Sequence, residues 1–228
     1  MIREIIFDTE TTGFKPEEGH RIIEIGAIEM INHLPTGKHY HVYLNPERDV
    51  PAEAVAVHGI TEEMLVDKPL FSQEFTNFLD FIGDDSKLVA HNATFDMNFI
   101  NYELKQVGHP GIKLNRVVDS LDVARRKFPG SPANLDALCR RFHIDLSARE
   151  LHGALLDAEL LGMVWLELNG GRQHGLDIEA SEVSQEESKL KIERSFREPR
   201  QFAVSDEETE AHSKLLEKLK DPLWNKAA

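Results

Sequence analysis

Ile5-Ile6-Phe7-Asp8-Thr9-Glu10-Thr11-Thr12-Gly13 sets two acids at alternate positions directly behind a run of large apolar residues. A near-continuous apolar run reads as a strand buried on both faces, and therefore central in its sheet. Side chains of a strand alternate between faces, so Asp8 and Glu10 project the same way. Like charges at the end of a core strand repel. The pair is tolerable only when a cation neutralises it or one carboxyl keeps its proton. Such oxygen ligands suit a hard ion such as Mg²⁺. The pair therefore predicts more carboxylates arriving from elsewhere in the chain.

Outward from this strand, residues 22–31 and 39–44 read as two more strands, and 2–7 as the first. Turns fall at 13–19 and 32–37, where Gly, Pro and Asn collect. Connections this short predict an antiparallel meander. Short helices at 53–57 and 61–65 flank a His58-Gly59 corner, and a helix over 71–82 carries Phe71, Phe75, Phe78, Leu79 and Ile82 on one face. Short strands at 88–90 and 117–118 alternate with helices at 94–106, 121–127 and 134–142, before a strongly apolar helix at 155–168. Strands first, then strands alternating with helices, predict an α/β fold with a mixed sheet covered by helices. The compact part ends near Asn169-Gly170-Gly171, giving a domain over 1–170, a flexible linker over 171–201 and a docking segment over 202–228. Residues 177–189 are acidic and polar with almost no apolar periodicity, as linkers are. Ser205 and Glu208 have capping-box spacing for a helix with Leu215, Leu216 and Leu219 on its apolar side.

Composition narrows the function classes. A 41% hydrophobic content over 228 residues supports a real core. No apolar stretch is long enough to span a bilayer, so no membrane partner is expected. The N-terminus runs straight into the first strand, which predicts no signal peptide. The single cysteine, Cys139, lies in Leu135-Asp136-Ala137-Leu138-Cys139 and reads as a small buried side chain. The absence of disulfides fits the cytoplasm. The net charge of -14 argues against a passive nucleic-acid binder, which needs a basic stripe. It leaves open an enzyme that grips a strand end through bound metal, and a subunit that docks on a basic partner.

Two further acids answer the demand. In His91-Asn92-Ala93-Thr94-Phe95-Asp96 a short strand ends and Asp96 enters the first turns of a helix. Taken alone, Asp96 reads as a helix-dipole partner. In Leu151-His152-Gly153-Ala154-Leu155-Leu156-Asp157-Ala158, Asp157 is surrounded by apolar residues, where an ionised carboxylate needs a partner. His152 precedes it by five residues. On a regular helix this spacing is roughly 140° of rotation, so His152 must lie on the lead-in to reach the same point.

These segments resemble, in order, the three exonuclease motifs of the DEDDh family, and Asp119-Ser120-Leu121 and Asn134-Leu135-Asp136-Ala137-Leu138-Cys139 are also similar to it. The match covers roughly residues 1–170. Within the family, the segment Glu53 to Ile60 and the tail are most similar to the proofreading exonucleases of bacterial replicative polymerases. The resemblance implies a ribonuclease H-like five-stranded sheet and two divalent ions, Mg²⁺ or Mn²⁺. It implies that Asp8, Glu10, Asp96 and Asp157 hold these ions and that His152 is the general base. It also brings Thr9, Thr11, Glu53 and His58 to the terminal nucleotide. Glu53 reads either as an acceptor for a 3'-hydroxyl or as an ordinary exposed helix residue; Phe95 packs either a base or the core. The implied product is a nucleoside 5'-monophosphate released from a DNA 3' end, single-stranded or frayed.

The tail extends the resemblance. Gln173, Leu176 and Ile178 resemble a degenerate sliding-clamp (beta) peptide, and Leu215, Leu219, Leu223 and Trp224 lie in a segment similar to one that binds a polymerase catalytic (alpha) subunit. A small theta-like third subunit is a further implied partner. Two other readings stay open: a DEDDh ribonuclease trimming RNA ends, and a mainly architectural replicase subunit.

Overall fold

The computed structural model divides the chain into two units, residues 1–177 and 178–228. Residues 1–147, 149, 151–171 and 204–219 are described. The first unit is built on one five-stranded sheet in the order β3-β2-β1-β4-β5. Its strands are β1 (Arg3–Thr11), β2 (Ile22–Ile31), β3 (Leu34–Tyr43), β4 (Lys87–Ala90) and β5 (Val117–Asp119). β1 to β3 form the antiparallel meander, and β4 and β5 add parallel to β1. The sheet is therefore mixed, with β1 at its centre.

The described residues of this unit form seven α-helices: α1 (Ala52–His58), α2 (Glu62–Leu65), α3 (Phe71–Ile82), α4 (Ala93–Gln106), α5 (Ser120–Lys127), α6 (Leu135–Arg141) and α7 (Ala154–Leu168). The alternation of β1 sorts the core into two layers. Ile5 and Phe7 join Phe71, Phe78, Met97, Phe99 and Leu104 of α3 and α4 on one face. Ile6 joins Leu138, Leu160, Leu161, Val164 and Trp165 of α6 and α7 on the other. Cys139 is fully buried in this second layer, and burial pushes its thiol up to about 11. No described helix is long and apolar enough to cross a membrane.

Two boundaries differ from the sequence reading. β1 does not stop at Phe7 but runs on through Thr11, so both acids lie inside the strand, with a register shift between Glu10 and Thr11. Such bulges re-aim side chains near functional sites. The predicted turn at 32–37 shrinks to Asn32 and His33, whose φ angles are 49° and 67°. Pro35 and Gly37 are strand residues because β3 is the sheet edge, where a missing N–H breaks no ladder.

In the second unit α8 (Asp206–Leu216) carries the expected capping box: the Ser205 hydroxyl accepts from Glu208 N, and Glu208 accepts from Ser205 N. Leu215 and Leu219 are exposed within this unit. Gln173, Leu176, Ile178, Leu223 and Trp224, and the linker over 177–189, lie outside the described residues.

α7 sits unusually close to β2. A Cβ added at Gly26 would lie 2.2 Å from Leu155 N and 2.3 Å from Ala154 C, both backbone atoms that cannot step aside. Gly26→Ala is expected to cost at least about 3 kcal/mol by overpacking this contact. Urea unfolding measures it, and a loss below about 1 kcal/mol would mean that α7 can withdraw from the sheet.

Candidate active site

The carboxyl end of β1 lies between the first turn of α4 on one face of the sheet and that of α7 on the other. β1 delivers Asp8 and Glu10, α4 delivers Asp96, and α7 delivers Asp157. All four line one cavity of about 390 Å³, together with Thr9, Phe95, Arg149 and His152. Each has a local reason to be there. Asn92 adopts φ 70°, the left-handed region that asparagine tolerates, and turns the chain from β4 into α4. Asp96 then falls in that helix's first turn, where the N-terminal dipole favours an acid. Thr9 projects to the α4 side, and its hydroxyl donates to Asp96 Oδ1 at 2.7 Å.

Crowding of buried acids dominates the electrostatics. Asp8 is raised well above the usual carboxylate range by burial and then by Asp96, Glu10, Asp157 and Glu24. Glu10 is raised to about 8 by burial and then by Glu24, Asp157 and Asp96. Asp96 is raised to about 7 by burial, with the Thr9 hydroxyl opposing. Oxygen-rich, like-charged and out of water, this set fits divalent cations, whose charge compensates what the fold has gathered. One ligand atom each from Glu10, His152 and Asp157 lies within 4.8 Å of the other two.

His152 precedes the helix, as its spacing from Asp157 requires: Gly153 is the N-cap of α7. The lead-in leans on α1 through His152 N to Val57 O at 3.2 Å. The imidazole is half exposed, with Nδ1 at 3.3 Å from Asp157 Oδ2.

A second cavity of about 400 Å³ shares Thr9, Glu10 and Phe95 with the first and continues past Thr11, Pro51, Glu53, Val57 and His58. His58 is buried, and its Nδ1 accepts from Ile60 N at 3.0 Å. Its Nε2 is then the protonated nitrogen, and it has no partner among the described residues. Burial lowers the His58 pKa, which favours this neutral form. Glu53 is exposed at the rim. The Thr11 hydroxyl is spent on Gly13 O at 2.6 Å. Phe95 serves both alternatives, packing on Phe99 at 5.2 Å between centroids while lining both cavities.

Two residues of the site escaped the sequence reading. Arg149 supplies the partner that Asp157 requires: Nε to Oδ1 at 2.5 Å and Nη2 to Oδ2 at 2.6 Å. It also reaches Asp136 Oδ1 at 2.5 Å and His152 Nδ1 at 2.9 Å. It sits in a polar loop without periodicity, so nothing local marks it. Glu24 lies opposite Glu10 in the β1–β2 register. Its Oε2 accepts from Ala154 N at 3.0 Å, and its Oε1 is 2.6 Å from His41 Nε2. Gly153 offers no side chain, so Glu24 caps α7 from across the sheet. An acid inside Ile22-Ile23-Glu24-Ile25-Gly26 was a usable signal.

This sheet, with its acid set, is the framework of a nuclease family, and the chain belongs to it: the family described as Exonuclease matches residues 5–164. Its relatives narrow the branch. The chain is 44% identical to DNA polymerase III subunit epsilon of Escherichia coli (strain K12), over 95% of this chain and 93% of that one. It is 57% identical to DNA polymerase III subunit epsilon of Rickettsia felis, over 75% of this chain and 76% of that one. Among solved structures, exonuclease X in complex with 5'-overhanging duplex DNA matches with a TM-score of 0.57 and 26% identity, covering 74% of this chain and 91% of that one. The nuclease domain of 3'hExo, a DEDDh family member bound to rAMP, has a TM-score of 0.63 at 20% identity over 74% of this chain and 92% of that one, a likeness of fold.

The raised acids predict a pH dependence. A carboxyl whose folded pKa exceeds its unfolded value binds more protons when folded, so stability falls as pH rises through that window. With Glu10 at about 8 and Asp96 at about 7, the protein in EDTA should lose melting temperature between pH 6 and pH 9. Millimolar Mn²⁺ should flatten this slope. A melting temperature that rises over the same range in EDTA would contradict the electrostatic assignment.

Proposed function

We propose that this chain is the proofreading 3'–5' exonuclease of a bacterial replicative DNA polymerase, removing mismatched 3'-terminal nucleotides as 5'-monophosphates. The observation that carries the reading is the meeting of Asp8, Glu10, Asp96, Asp157 and His152 in one cavity beside a second, less polar one. Asp8, Glu10, Asp96 and Asp157 would hold two divalent ions, Mg²⁺ or Mn²⁺. Such ions supply charge stabilisation of the attacking and leaving oxygens of the phosphodiester.

The chain's own residues do the rest. Thr9 fixes the rotamer of Asp96. His152, partly exposed beside Asp157, takes the proton of the attacking water; imidazole has the right basicity near neutral pH. The terminal nucleoside occupies the second cavity. There the protonated Nε2 of His58 offers a donor to the nucleotide, and Glu53 accepts from the 3'-hydroxyl, which selects a chain end over an internal linkage. Thr11, spent on Gly13, shapes the wall rather than binding by its hydroxyl.

The tail gives this activity its address. Leu215 of α8 and Leu219 just beyond it, with Leu223 and Trp224, dock on the polymerase alpha subunit, while Gln173, Leu176 and Ile178 engage the beta clamp. A small theta-like subunit completes the assembly in the cytoplasm.

Digestion of a mismatched DNA primer against an RNA oligomer, with and without EDTA, tests the reading; equal rates on both would favour an RNA-trimming enzyme. Asp8→Ala should abolish most turnover in Mg²⁺ without lowering the melting temperature, since it relieves carboxylate repulsion. His152→Ala should slow the single-turnover rate by roughly 10²–10⁴-fold, and an unchanged rate would remove His152 from proton transfer. Deleting the residues after Gly171 should leave hydrolysis intact while abolishing copurification with the polymerase.

A further inference from the structure

A third cavity, of about 510 Å³, adjoins the acid cavity through residues that the nucleoside cavity does not touch. It shares His91, Asn92 and Asn134 with the acid cavity, whereas the nucleoside cavity shares Thr9, Glu10 and Phe95. The acid cavity thus adjoins two chambers of different chemistry. Among the described residues, no carboxylate lines this third one.

Its polar groups are donors in search of an acceptor. Arg125 of α5 is exposed, and its one ion pair among the described residues, to Asp122, is long at 3.9 Å. Asn134 spends its Oδ1 on capping α6 through Ala137 N at 2.8 Å, which turns its amide Nδ2 outward as an unused donor. Asn92 makes no side-chain cap to α4 and lines the cavity as well. Ser131 adds a hydroxyl from the loop between α5 and α6. That loop is stiffened by Pro129 and Pro132 and turned by Gly130 at φ 77°. His91 is not one of these donors. Ser120 Oγ donates to Ala90 O and so accepts from His91 Nδ1, which leaves Nε2 as an acceptor. Burial lowers its pKa and keeps it neutral.

We propose that this cavity is the exit track of the substrate strand, in which Arg125, Asn92, Asn134 and Ser131 hold the phosphates on the 5' side of the scissile linkage. The proposal rests on the nuclease reading and extends it from the terminal nucleotide to the strand behind it. The chemistry is that of single-stranded nucleic acid, an anionic backbone that needs donors and cations. Arg149, the cation nearest the acids, is engaged by Asp157 and Asp136, so Arg125 is the one that lines the strand's way out. The placement also fixes polarity: the 3' nucleoside enters on the α1 side and the strand leaves across the start of α6.

The test compares two substrates in the full-length protein with Mn²⁺: a short single-stranded DNA oligomer, and the p-nitrophenyl ester of thymidine 5'-monophosphate, which has no upstream phosphate. Arg125→Gln should raise KM for the oligomer about five- to tenfold at near-constant kcat, as expected for one lost charge-assisted bond. Arg125→Glu should raise it further. Both variants should hydrolyse the ester like the parent protein. The plot of log KM against log salt should lose about 0.7 of its slope for the one phosphate released. An oligomer KM unmoved by Arg125→Glu, or equal losses on both substrates, would overturn the exit track alone. A parent protein inert on both substrates would overturn the nuclease reading and this proposal with it.

Discussion

Everything at the functional end of this molecule answers one electrostatic problem: carboxylates held close together where water cannot screen them. Asp8, Glu10 and Asp96 all bind protons more tightly than free carboxylates do, and burial is the leading cause for each. A fold retains such a cluster only where surrounding groups fix the geometry. Here the Thr9 hydroxyl bonds Asp96, the Arg149 fork bonds Asp157, and Glu24 is occupied by a histidine and a helix N–H. The repulsion that burdens folding is the same property that makes the site receptive to cations.

The sheet solves the geometric half of the problem. Because β1 is central and runs on past its pairing with β4, helices on opposite faces can each contribute an acid to one point. The α7 contribution depends on close approach. Gly26 admits the helix backbone, and Glu24, two residues earlier, supplies the cap that Gly153 lacks. A small residue and an acid on one strand thereby set the height of Asp157 and the starting point of the His152 lead-in.

Much of this was legible in the residues. Asp8, Glu10 and Asp157 could be found because each interrupts apolar sequence, and a buried charge without a partner is improbable chemistry. The histidine's place outside the helix followed from angular arithmetic alone. Asp96 was harder, since an acid in a first helical turn has an ordinary explanation; only its company identified it. Arg149 was invisible because its importance lies in carboxylates brought to it by folding, Asp136 thirteen residues before it and Asp157 eight after. Glu24 broke the same rule as Asp157, and the signal lay in plain view between isoleucines. The early start of β3 was hidden by Pro35 and Gly37, turn formers that an edge strand accommodates.

The order in which these acids occur has a consequence for the newborn chain. Domains fold largely as units as they leave the ribosome, at roughly 5–20 residues per second. Asp8 emerges almost at once, whereas Asp157 rides on α7, the last helix of the first unit. A product terminated before that helix keeps three acids but has neither the fourth nor the layer that covers β1 on that face. The acid cavity is thus complete only after nearly the whole unit has been made.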